Sequence, residues 1–139
     1  MKNAFLAFLL ISAFASCSLF KPLHSIEKHL VDATAQRWYS GISSVNGADR
    51  GVTFRMKFYQ PKNQLLADTL WVNSIALLPE ITAVGDTTYV TAFFYSAGEK
   101  DKTLINDTAF SGVLNVLIDE KKHLLGPEPF RELPVIPYM

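Results

Sequence analysis

The clearest signal in the chain is an alternation of period two. Val52, Phe54, Met56 and Phe58 are separated by Thr53, Arg55, Lys57 and Tyr59. Successive side chains of a strand point to opposite faces, so this run predicts a half-buried strand with one face on a core. Before it, Asn46-Gly47 and Gly51 supply the positive backbone angles that tight turns require, which predicts a hairpin from about Trp38 to Tyr59. Runs rich in branched and aromatic residues predict further strands over Thr69 to Asn73, Thr87 to Ser96 and Ser111 to Ile118. Gly85-Asp86 marks a turn ahead of the second. The charged stretch from Ala97 to Asp107 reads as a solvated loop, and Asp119 to Lys122 as a connection to His123, Leu124 and Leu125.

The segment Thr87 to Ser96 divides into Tyr89, Thr91, Phe93 and Tyr95 on one side and Thr88, Val90, Ala92, Phe94 and Ser96 on the other. Both sides carry apolar groups, so it is expected to be a central strand covered on both faces. Four of the seven prolines, Pro127, Pro129, Pro134 and Pro137, fall in the last thirteen residues. Proline lacks the donor that a ladder or helix needs, which argues against a helix or a central strand there. The apolar Phe130, Leu133, Val135 and Ile136 among them predict an irregular or edge segment packed onto the domain. Strands at regular spacing without intervening helices define an all-β domain over residues 33–139. An antiparallel sandwich is expected, with a small barrel as the alternative.

The N-terminus follows another pattern. Lys2 precedes an uncharged apolar run from Ala4 to Ala15, then Ala15 and Ser16 stand before Cys17, the three-part plan of a secretion signal. This order resembles the lipobox of bacterial lipoproteins, although Phe14 stands where that family usually places leucine. The resemblance implies removal of residues 1–16, lipidation of Cys17 and attachment to a membrane through that lipid. Ser18 in place of aspartate implies the outer membrane over the inner. An uncleaved anchor from Ala4 to Phe20 is the alternative. Residues 17–32 then form a tether, where Leu23, Ile26 and Leu30 fit a short helix capped by Ser25 or an extended arm. Within the domain, Gln36-Arg37-Trp38-Tyr39-Ser40-Gly41, Gly51, Thr69-Leu70-Trp71-Val72, Gly85-Asp86-Thr87 and Phe130 to Pro134 resemble small uncharacterised β-rich lipoproteins, a resemblance that brings no activity with it.

Charge narrows the partners. Thirteen basic residues balance thirteen acidic ones, and Arg50, Arg55, Lys57 and Lys62 are interleaved with strand positions as one solvated face. Nucleic acid is an unsuitable partner for a chain without clustered positive charge. The single cysteine excludes an internal disulfide, so stability rests on packing.

Candidate chemistry is sparse, and neither a cofactor nor a metal is expected. His24 and His29 flank Glu27, but five residues place two side chains about 140° apart on a helix, away from a common metal. His123 stands beside Asp119 and Glu120 with no nucleophile motif in the chain. Asp49, Asp68, Asp86, Asp101, Asp107 and Asp119 all sit by turns or strand ends, where aspartate serves the backbone. Asn106-Asp107-Thr108 fits a glycosylation triplet of little weight in this context. The aromatics Trp38, Tyr39, Trp71, Tyr89, Phe93, Phe94 and Tyr95 are expected to build the core. The alternative is an exposed ligand face of Tyr89, Phe93 and Tyr95 that stacks on a sugar or peptide. The reading that follows is a lipid-anchored, non-catalytic domain that binds or scaffolds an envelope protein or glycan. The alternatives are an envelope hydrolase whose site is assembled in space, or an inhibitor or immunity-type lipoprotein.

Overall fold

A computed structural model describes residues 29–40, 50–59, 65–96, 104–118 and 121–138. Among them are eight strands and no helix: β1 (Leu30–Ser40), β2 (Arg50–Tyr59), β3 (Leu66–Val72), β4 (Ile75–Leu77), β5 (Glu80–Val84), β6 (Thr87–Ser96), β7 (Phe110–Ile118) and β8 (Lys121–Tyr138). All eight join in one sheet of order β4-β3-β7-β8-β1-β2-β6-β5, which curls into a half-barrel around a single core. The terminal strands β4 and β5 are consecutive in the chain, separated only by Leu78 and Pro79, so the chain bridges the two ends of the curled sheet.

The alternation in β2 sets its orientation. Val52, Phe54, Met56 and Phe58 are fully buried, while Arg55 and Tyr59 face water. β2 pairs antiparallel with β1 and with β6 along its whole length, as the expected hairpin requires. The apolar interior joins Ala35 of β1, Leu70 and Val72 of β3, Val90 and Ala92 of β6, Leu114 and Val116 of β7, and Leu125 of β8. At its centre Phe54 meets the edges of Phe110 and Phe130, with ring centroids 5.1 and 5.2 Å away. Burying such rings is the largest favourable contribution that single side chains of this core make.

The architecture departs from an antiparallel sandwich in two respects. The strands form one sheet in place of two facing ones, and that sheet is mixed, because β1 and β8 run parallel. Both departures trace to β8, whose partner changes midway. Lys121 to Phe130 pairs with β7, and Arg131 to Tyr138 pairs with β1. Among the described residues each half has one hydrogen-bonded neighbour, so each half of β8 is locally an edge. The proline rule is therefore satisfied locally although β8 stands in the middle of the sheet order. The register slips at Gly126-Pro127, joined by a cis peptide bond, and again at Pro134-Val135. Such bulges bend and twist a strand, which lets it pass from one side of the curl to the other.

Three further features differ from the sequence reading. The short strands β4 and β5 carry no alternation and were not expected. The strand β1 begins at Leu30, inside the expected tether, as an extended arm requires, whereas the short helix proposed to start at Ser25 lies mostly outside the described residues. Leu104 and Ile105, within the expected solvated loop, are buried in the core. Arg37 holds this turn in place. Its guanidinium donates to the carbonyls of Ile105 and Asp107, pairs with Glu132 at 2.5 Å and lies 4.9 Å from the centre of the Phe110 ring. With its side chain only 14% exposed, this largely covered charge is paired and hydrogen-bonded, the condition under which such a charge is tolerated.

Candidate binding face

On β6 the inward set is Thr88, Val90, Ala92 and Ser96, all buried, with Phe94 partly so. The outward set is half-buried Tyr89 and Thr91 with Phe93 and Tyr95, which are 37% and 38% exposed. The expectation of a strand covered on both faces is therefore overturned. No strand among the described residues packs over Phe93 and Tyr95, and the outward set contains the three residues named as the alternative ligand face.

The strand register assembles their surroundings. Lys57 of β2 stands beside Tyr89, Arg55 beside Thr91, Thr53 beside Phe93 and Gly51 beside Tyr95. On the far side of Gly51 stands Trp38 of β1. A Cβ at Gly51 would lie 2.3 Å from the Trp38 ring, so glycine is what lets the indole lie against the sheet. Trp38 meets Tyr95 edge to face at 5.7 Å, and Tyr95 stacks with Phe93 at 6.1 Å and 20° between planes. Trp38 is itself buried, so this row runs from a covered indole to two open rings. The Arg55 guanidinium lies 5.7 Å from the centre of the Tyr89 ring, close enough for a cation–π contact. Neither Arg55 nor Lys57 has a carboxylate partner among the described residues. Asp32, on the same side, is paired with Arg131 at 2.7 Å.

The aromatic residues thus sort differently from expectation. Trp38 is buried but outside the main core, and Tyr39 and Trp71 are 44% and 43% exposed. The interior rings are Phe54, Phe58, Phe110 and Phe130. Of these, the alternation in β2 marks Phe54 and Phe58, while Phe110 and Phe130 lie at strand positions whose partners are far away in sequence.

The outer side of β3, β7 and β8 bears an open depression of about 610 Å³ lined by Trp71, Asn73, Ser74, Ser111, Val113 and Leu124. Asn73 and Ser74 form the turn between β3 and β4 with φ of 45° and 71°, the left-handed conformation that asparagine tolerates well. The Asn73 amide donates to Asp107 at 2.6 Å and to the Ala109 carbonyl at 2.9 Å, and its oxygen accepts from the Ser111 N–H at 2.9 Å. Its polar capacity is thus taken up in fixing the turn. What the depression offers a ligand is the apolar surface of Trp71, Val113 and Leu124.

Cys17, His24 and Glu27 lie outside the described residues, as do Asp49, Asp101 and Asp119. His29 donates from Nδ1 to the Tyr59 carbonyl at 2.9 Å and so stitches the start of β1 to the end of β2. Asp68 pairs with Lys122 at 3.2 Å, and His123 stands opposite Val116 in the β7–β8 ladder. Among the described residues no three His, Cys, Asp or Glu side chains converge as metal ligands. No family model, curated protein or solved structure matches the chain.

Proposed function

We propose that this protein is a lipid-anchored envelope domain that binds a partner, without catalysing a reaction, through the outer face of β1, β2 and β6. The observation that carries the reading is the exposure of Phe93 and Tyr95 on a strand whose other side is sealed in the core. Large rings held in contact with water by a rigid sheet are the usual anchors of recognition surfaces, because little conformational entropy is lost when they are covered. The lipobox-like segment supplies the address: lipid on Cys17 and a tether of a dozen residues hold this face close to a membrane, with the outer membrane favoured.

The test is site-specific photocross-linking in cells with the full-length protein. A photoreactive residue at Thr91, between Tyr89 and Phe93, is expected to capture an envelope component, and Phe93→Ala is expected to abolish that capture. The same probe at Leu124 reports on the depression beside Trp71. Cross-links confined to Leu124 overturn the assignment of the face. For the anchor, labelled fatty acid is expected at Cys17, and unchanged labelling of Cys17→Ser overturns the lipidation.

A further inference from the structure

Resting on that reading, we infer that the ligand of the outer face is an acidic saccharide. Three properties of the face select this chemistry. Its two open rings, Phe93 and Tyr95, stand next to each other along one strand, 6.1 Å apart and 20° between planes, and their exposed apolar surface suits the C–H face of a sugar ring. Thr53 stands across from Phe93 on β2 and Thr91 two positions before it on β6, and their hydroxyls can both donate to and accept from sugar hydroxyls. Arg55 and Lys57 bring two positive charges without carboxylate partners among the described residues, and the fork of Arg55 suits a carboxylate or phosphate held in two-point contact.

The surrounding charges leave this preference standing. Asp32 stands opposite Lys57 in the β1–β2 register, but its carboxylate is paired with Arg131 at 2.7 Å. Glu80 of β5 lies in the same cross-strand row as Arg55, with Thr91 between them, and two strand spacings put it about 10 Å away, where solvent screens it. The face from Tyr89 to Tyr95 is about 20 Å long at the rise of a strand, room for a short oligosaccharide. The middle of the patch also discriminates against an extended peptide. The backbone of β2 is paired on both sides, with β1 and with β6, so strand addition has no free ladder to use there. What β2 offers is side chains alone: hydroxyl, guanidinium and ammonium groups between rings.

The experiment is calorimetric titration of the full-length protein in detergent with acidic oligosaccharides and their neutral counterparts. The probes are a galacturonate trisaccharide and its methyl ester, a muramic-acid disaccharide and its amide, and a glucosamine disaccharide with and without phosphate. At least one acidic probe is expected to bind about tenfold or more tightly than its neutral counterpart at low salt, a preference reduced by added salt. Arg55→Gln is expected to remove most of that preference. Phe93→Ala is expected to weaken both forms about tenfold or more. Equal affinity for acidic and neutral forms, or no binding of any probe, overturns the inference. If capture at Thr91 in cells persists in that case, and the cross-linked component is an acidic peptide, the recognition face stands and the saccharide does not. If capture at Thr91 fails as well, both fall.

Discussion

Two aromatic clusters lie back to back through the thickness of one sheet. Inside, Phe54, Phe110 and Phe130 meet edge to face and are buried. Outside, Trp38, Tyr95 and Phe93 form a row with its last two rings open. Phe54 and Phe93 come from neighbouring strands and are only one position apart in the register, since Phe54 stands opposite Ala92. In a strand one position is the difference between the two faces. The composition of a strand therefore says how many rings it carries, whereas its phase relative to the curl says which of them hold the fold together and which are free to meet a partner.

The sharpest test of this contrast removes the interior ring. Phe54→Ala is expected to cost about 3–5 kcal/mol, because the cavity lies between Phe110 and Phe130, which cannot both collapse into it. Chemical denaturation measures this, and a loss below about 1 kcal/mol would mean that the two clusters are not different in kind. A smaller effect is expected where the outer cluster touches the backbone. Gly51→Ala would set its Cβ 2.3 Å from the Trp38 ring and 2.4 Å from the Phe94 carbonyl oxygen. The ring can tilt, but the paired backbone cannot, so a loss of about 1–3 kcal/mol is expected, with a changed Trp38 fluorescence. Unaltered emission and stability would show that the indole is not seated on the glycine. The smallest effect is expected from the open rings. Phe93→Ala should shift stability by no more than about 0.5 kcal/mol, whereas Phe94→Ala, on the inward side and partly buried, should cost more, about 1–2 kcal/mol. A Phe93 variant less stable than the Phe94 variant would reverse the two faces of β6.

How far the fold was legible in the sequence follows from the same contrast. β2 was legible because its apolar and polar residues alternate without exception, and β6 and β7 because branched and aromatic residues run between clear turn residues. β4 and β5 were not. Three residues are too few to show a period, and β5 is exposed along its whole length, so nothing in it alternates. The parallel pairing of β1 with β8 was illegible because a strand's neighbour is chosen by distant segments. The prolines of β8 argue against a strand inside the sheet, yet β8 runs from Lys121 to Tyr138 in the middle of the strand order, which is possible because its partner changes after Phe130. For the candidate face, Tyr89, Phe93 and Tyr95 were identifiable as one side of a strand. Their exposure was not, since it depends on how distant segments pack around them and not on the local alternation. Arg55 and Lys57 were visible as solvated charges, and only the register with β6 brings them to the rings.

The change of partner within β8 also sets an order of events in folding. The side chain of Gln36 is bonded to the Pro134 carbonyl at 3.1 Å across 98 residues of chain, and Asp32 is paired with Arg131 across 99. Until the residues from Arg131 onward are in place, β1 has only β2 beside it, and the curl stays open along that seam. Closing a loop of that length costs entropy before any contact repays it, so the domain belongs with the slower-folding topologies. In a chain of this design the seam between β1 and β8 forms only once the strand made last has joined the strand made first.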